Sequence, residues 1–268
     1  MMAMKLSEIW IYPVKSLGGI RLPKALTEER GLQYDRRWMI IDENNVFITQ
    51  RAHHQMALID VALQDSGLKI FLRNDPADFV IAPYQPIAAV PVKVTVWDDV
   101  AEAVTVSAEA DEWLSRHLGL NLRLVMMPDS TERKADPRYA QHNENVSFAD
   151  GFPYLVISQA SLDELNSRLA EPITMRRFRP NLVISGTEPF AEDQWKHITI
   201  GNLRFEVVKP CARCVLTTIN PETAEKGPEP LKTLASYRRA GNKILFGQNV
   251  TAQDFGEISE GDILQVQA

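Results

Sequence analysis

The chain has 268 residues, 45% hydrophobic and 24% charged, long enough for one large domain or two modest ones and ordinary for a soluble globular protein. A formal net charge of −6 and a pI near 5.5 weigh against a dedicated nucleic-acid surface. No run approaches about 18 consecutive apolar residues, and Met1-Met2-Ala3-Met4-Lys5 opens no apolar signal-peptide core, so no membrane span is expected and a cytoplasmic address follows.

The first third reads as β. Ile9-Trp10-Ile11-Tyr12-Pro13-Val14 is an apolar run that ends at a Lys-Ser-Leu-Gly-Gly turn. Trp38 to Ile41, the polar turn 42–45 and Val46 to Thr49 read as a hairpin. Val92 to Val96 and Val104 to Val106 are β-branched, around a Trp97-Asp98-Asp99 turn. A twisted, partly closed sheet fits this part best. Near Ser107 the texture changes. Asp111 to Leu118 reads as a helix, Arg123 to Met127 as a strand, and the polar stretch Pro128 to Asn145 as a long loop. Ser161-Leu162-Asp163-Glu164 matches a capping box ahead of a helix carrying Leu165 and Leu169. Pro230 to Arg239 is another helix candidate, and the tail from Ile244 to Val266 returns to strands. The expected fold is α+β, mostly β: a β-rich, barrel-like part over 1–120, then a second β-barrel over 121–268 with a few helices.

Chemistry has few places to reside. The chain contains no GxGxxG, no GxxxxGK[ST] and no HExxH. Its two cysteines stand three apart, in Lys209-Pro210-Cys211-Ala212-Arg213-Cys214. Two thiols cannot hold a four-cysteine iron–sulfur cluster, and a disulfide across so short a loop would staple almost nothing. The five histidines supply no paired ligands for a zinc site, since only His53 and His54 cluster and adjacent side chains on a strand point apart. Val215 to Thr218 reads as strand-like, which gives no helix dipole for a thioredoxin-type thiol. A soft-metal ligand and a persulfide carrier lead the remaining readings, with inert buried cysteines as the bland alternative. Cations gather at turns: Lys15-Ser16 ahead of Gly18-Gly19, Arg36-Arg37, and Arg176-Arg177-Phe178-Arg179 leading into a strand. In an acidic protein such placement suggests convergence on one anionic ligand.

Five motifs in order carry a family resemblance: Tyr12-Pro13-Val14-Lys15-Ser16, Phe178-Arg179-Pro180-Asn181, the cysteine motif with Leu216-Thr217-Thr218, Glu229-Pro230-Leu231-Lys232-Thr233-Leu234, and Phe246-Gly247-Gln248-Asn249. The chain resembles the MOSC superfamily, the molybdenum cofactor sulfurase C-terminal domain with its N-terminal β-barrel partner. Within it, the likeness is to the amidoxime-reducing and hydroxylaminopurine-detoxifying proteins. The resemblance implies a molybdenum-cofactor reductase of N-hydroxylated compounds, with Mo-molybdopterin as cofactor and no need of pyridoxal phosphate or of an iron–sulfur cluster in this chain. It implies that Cys214 is the metal ligand and catalytic residue, and that Lys15, Ser16, Arg36, Arg179, Asn181, Arg213 and Asn249 bind the cofactor. Electrons would come from a separate flavoprotein or ferredoxin-like protein, and the other partner is a small-molecule substrate, with neither nucleic acid nor membrane involved. Asp150 is a candidate proton donor. The alternatives are a sulfur carrier acting through a cysteine persulfide and a non-enzymatic cofactor-binding protein.

Overall fold

The computed structural model describes residues 3–86 and 88–267, and the chain is α+β with strand predominating. Four short strands come first: β1 (Lys5–Ile11), β2 (Ile20–Leu22), β3 (Lys24–Glu28) and β4 (Gly31–Leu32). They are followed by β5 (Trp38–Ile41), the meander β6 (Ile59–Gln64), β7 (Gly67–Leu72) and β8 (Asp75–Ala82), then β9 (Pro91–Val96) and β10 (Asp99–Thr105). Helix α1 (Ala108–Leu118) and β11 (Arg123–Met126) complete this half. The second half runs β12 (Tyr154–Ser158), α2 (Gln159–Asn166), β13 (Leu182–Ser185), β14 (His197–Ile200), β15 (Leu203–Ala212) and α3 (Leu231–Tyr237). It ends with β16 (Arg239–Ala240), β17 (Lys243–Ala252), β18 (Gly256–Ser259) and β19 (Leu264–Gln267).

Two barrels result. In the smaller, β5, β11, β10 and β9 pair in that order. The segment after the 42–45 turn closes the ring, bridging Ile41 with Phe47 on one side and Val46 with Thr95 on the other. The expected hairpin is therefore present, with its second arm serving as the closing stave. Met39, Ile41, Val94, Val96, Val125 and Phe148 fill the interior. Trp38 and Ile40 face the opposite way, into a core shared with α1 and the β6–β8 meander. Both faces of β5 are covered, which is why the run is apolar without alternation. Ser107 accepts a hydrogen bond from the Ala110 amide at 3.1 Å and caps α1, and Gly119 ends it in the left-handed region at φ 68°.

The larger sheet orders its strands β19-β14-β15-β17-β12-β13-β1-β2. An antiparallel bridge between Lys5 and Ile263 joins the two ends, with the Leu6 amide donating to Asp262 O at 2.9 Å and the Leu264 amide to Met4 O at 2.9 Å. Inward side chains such as Ile9, Ile11, Tyr154, Ile198, Phe205 and Val250 make its core. β12 and β13 are parallel and joined through α2, as parallel neighbours require a crossover. Two sequence readings are corrected here. The cap of α2 is Ser158, whose side chain accepts from the Ser161 amide, so Ser161 lies inside the helix. Val215–Thr218 is a 3-10 turn rather than strand-like. The sheets also cross the division drawn at residue 120: β1 pairs with β2 and β13, and β3 with β18, so the opening strands are staves of the second barrel and its companion sheet.

Candidate functional site

A cavity of about 310 Å³ opens at the seam between the two barrels. Lys15, Ser16, Arg36, Arg179, Asn181, Arg213, Cys214 and Asn249, singled out from sequence segments far apart in the chain, all line it. Six cations stand in the wall, with Lys209 and Lys243 joining Lys15, Arg36, Arg179 and Arg213, against Asp150 as the one lining carboxylate among the described residues. In a chain of net charge −6 this is a concentrated positive field.

The turn after β1 places Lys15. Its ammonium is buried, donating to Phe148 O at 2.7 Å and pairing with Asp150 at 2.5 Å. The Phe148 side chain is anchored in the small barrel's core, so that core fixes the position of the Lys15 charge. Desolvation would raise the Asp150 carboxyl, but Lys15, the Trp97 indole N–H at 3.2 Å and Arg51 hold it well below the usual carboxylate range. Asp150 is therefore a fixed anion at neutral pH. Arg133, itself buried, donates to Ser147 O at 2.8 Å and Ala149 O at 2.7 Å and pins the segment that carries Asp150.

Arg36 and Arg179 lie over the ring of Tyr12, at 4.5 Å and 4.1 Å from its centroid. Arg36 pairs with buried Asp35 at 2.6 Å and donates to Asn181 Oδ1 and Arg179 O, each at 3.2 Å. Arg179 donates to Leu17 O at 2.6 Å, while its Nη2 is buried with no protein partner. Burial, with Arg36 beside it, pulls the Arg179 guanidinium down to about 10, so it stays charged at neutral pH. Asn181 has another role than the cations. Its amide accepts from the Leu155 amide and Arg36 and donates to Trp10 O, so it braces the wall. Ser16, Arg36 and Arg179 have φ of 69°, 49° and 55°, a region that side chains other than glycine seldom adopt. Such strain clusters where surrounding structure fixes a side chain for a purpose.

The thiols also line the cavity, Cys211 near the end of β15 and Cys214 just beyond it. Cys211 and Cys214 are both free. Arg213 Nη1 donates to Cys211 Sγ at 3.0 Å and Nη2 to Phe178 O at 2.6 Å, leaving Nε buried without a partner. Cys214 precedes the 3-10 turn, whose Thr217 donates both amide and hydroxyl to Cys214 O, at 3.1 Å and 3.0 Å. That turn is held by its own hydrogen bonds and leaves the Cys214 side chain to the cavity. Asn249 donates to Lys209 O at 3.1 Å, and the Lys209 ammonium lies 4.1 Å from the Tyr139 ring centroid and 5.6 Å from that of Phe152. No group of three or more His, Cys, Asp or Glu side chains gathers among the described residues, and the sulfur donors that line the cavity are Cys211 and Cys214. The buried, unpartnered Arg179 Nη2 and Arg213 Nε, the cation excess and a half-buried thiol together form a donor set for an anionic group that carries a soft metal.

Sequence reasoning missed Lys243, Phe152, Arg133 and Trp97. Lys243 and Arg133 are single cations outside any motif. Trp97 stood in a recognised turn, but only the packed structure brings that turn to Asp150.

Comparison with known proteins gives concordant matches. The MOSC domain family model matches residues 143–265, and that of the MOSC N-terminal beta barrel domain matches residues 3–121. The mitochondrial amidoxime-reducing component 1 of Mus musculus is 33% identical over 96% of this chain and 80% of its own length. The mitochondrial amidoxime reducing component 2 of Homo sapiens is 32% identical over 96% and 81%. The molybdenum cofactor sulfurase of Danio rerio is 31% identical over 90% of this chain, which spans 31% of that longer protein.

Proposed function

Since the chain belongs to the MOSC family, with the N-terminal β-barrel domain ahead of the MOSC domain, we propose that it binds the molybdenum cofactor in the seam cavity and reduces N-hydroxylated compounds. The observation that carries this reading is the convergence of Lys15, Arg36, Arg179, Arg213 and Cys214 on one cavity. Arg36 and Arg179 offer fixed guanidinium donors to a phosphate, held in place by Tyr12, Asp35 and Leu17 O. Lys15 adds a buried charge whose position Phe148 O and Asp150 set. Arg213 and Lys209 stand beside the two cysteines in the cavity wall, and Cys214 would hold the metal through its sulfur. When bound, the molybdenum supplies the two-electron redox chemistry, while the protein supplies position and field. Phe152 and Lys209 give the substrate side a mixed aromatic and cationic wall, and electrons arrive from a separate protein. We place this activity in the cytoplasm.

Molybdenum content decides the core of the proposal. In protein made by a host that synthesises molybdopterin, the parent is expected to hold near-stoichiometric metal and Cys214→Ala to hold background amounts. With a reconstituted electron donor, the parent alone reduces an amidoxime. Equal metal or equal reduction by the two proteins would sink the assignment. A second reading, a sulfur carrier, is favoured by the Arg213 contact to Cys211 Sγ and by the match to a cofactor sulfurase. It predicts a labile one-sulfur adduct on a cysteine, seen by mass spectrometry in protein free of molybdenum.

A further inference from the structure

Behind Tyr12, on the far side of Arg179 from the Cys214 cavity, lies a second and much smaller cavity of about 20 Å³. Arg179 is a wall common to the two, whereas Tyr12, Gly18, Gly19, Arg73, Arg176 and Arg177 face the smaller one only. The Gly18-Gly19 turn, which follows the Lys15-Ser16 pair, lines this compartment, and its Gly18 amide donates to Ile59 O at 2.9 Å. The turn is sterically fixed: a Cβ at Gly18 would collide with Asp60, and one at Gly19 with the Tyr12 ring.

Charge is not balanced there. Arg73 is held by Asp60 through two 2.8 Å hydrogen bonds, and Arg176 by Glu222 at 2.6 Å. Arg177 and Arg179 have no carboxylate partner among the described residues. Arg177 reaches only Thr217 O, at 3.5 Å, too long for a strong bond. Two donors are orphaned outright: the Tyr12 hydroxyl, on a side chain 2% exposed, and Arg179 Nη2. Burial pushes the Tyr12 phenol up to about 12, so it remains an O–H donor at neutral pH. Buried donors with no acceptor are rare and call for an occupant. The volume admits one occupant of about the size of a water molecule.

We propose that this second cavity is a binding site for a single small inorganic anion of the chloride class, held by the Tyr12 hydroxyl, Arg177 and Arg179. The acceptor it lacks would be supplied by the ion, and two uncompensated guanidinium groups make an anion preferable to neutral water. Because Arg179 belongs to both cavities, the ion would also hold that side chain against the wall of the larger site. The proposal does not need the cofactor to be present, since Tyr12 and Arg177 line only the smaller cavity, and Arg179 is the one residue that both readings use.

The test is diffraction from crystals of the full chain, grown without chloride and soaked in bromide, using the anomalous signal of bromine to locate the halide. Bromide is expected beside the Tyr12 hydroxyl in the parent. Removing one charge-assisted or hydroxyl donor, in Tyr12→Phe or in Arg177→Met, should weaken halide binding by about tenfold, read as reduced occupancy across a bromide series. Water alone in the parent cavity, or bromide confined to the outer surface, overturns the proposal. So does equal occupancy in parent and both variants. If Tyr12→Phe does not fold, Arg177→Met decides by itself.

Discussion

In the small barrel, Trp38 to Ile41 buries every side chain, and the interior is filled by apolar groups with no ion among them. At the seam a few residues away, buried Lys15, strained Arg36 and Arg179 and two half-buried thiols share one cavity. The first region obeys local rules at every level: alternation or two-sided burial, a capped helix, and apolar packing. The second breaks them with buried charge, left-handed backbone at residues with side chains, and donors without acceptors. Local rules fail together where a ligand is to complete the structure. The contrast separates what keeps the chain folded from what the folded chain is for.

The largest stability effect should come from the first region. Leu124 is fully buried in the core under α1, and Leu124→Ala is expected to lower the unfolding free energy by about 2–5 kcal/mol. Urea denaturation measures it, and molybdenum per folded chain should be unchanged at a temperature where the variant is still folded. Parallel loss of metal would erase the separation. Arg179→Met should do the reverse. Removing a buried guanidinium with an orphaned Nη2 is expected to leave stability equal or higher, while cofactor retention falls by about tenfold. A destabilised variant with full metal content would contradict that division.

The smallest effect belongs to an exposed pair far from both regions. Hydrogen bonds from Arg204 at 2.7 Å and 2.8 Å hold Asp254 down to about 2. The folded value lies below the ordinary aspartate value of about 3.9, so the pair's stabilising contribution is complete above that pH and is lost as pH falls towards 2. Asp254→Asn should lower stability slightly at pH 7, and the difference from the parent should vanish as pH falls towards 2, which flattens the acid limb of the stability–pH curve. An unchanged acid limb would show that solvent screens the pair entirely.

Much of this organisation is legible in the residues. Apolar runs located most strands, Ser107 and Gly119 bracket a helix whose pattern is clear, and five ordered motifs brought together residues that line one cavity. What escaped has physical causes. Val215–Thr218 is β-branched at three of four positions, yet hydrogen bonds to Cys214 O and Val215 O draw it into a 3-10 turn. Ser161 resembles a cap because the true cap, Ser158, ends a buried strand and carries no turn signal. The position of Asp150 was readable while its partners were not. Lys15 comes from 135 residues away and Trp97 from 53. Closure of the second barrel by the opening strands was equally hidden, since no short-range pattern announces a pairing of Lys5 with Ser185 and Ile263.

That closure bears on how the molecule is made and how it can be taken apart. β1 emerges early in synthesis and β2 soon covers part of one edge, but β13 and the start of β19 follow some 170 and 250 residues later, so the other edge must wait through much of translation. A waiting apolar strand invites pairing with another nascent chain. The small barrel, whose staves all lie between β5 and β11, can form first and hold the Phe148 carbonyl in place before the larger barrel shuts over it. A gene cut at the end of the N-terminal family match would therefore strand the first staves on the wrong fragment. Swapping modules cleanly takes two cuts, so that the small barrel is lifted out as an insertion and the opening strands remain with the tail.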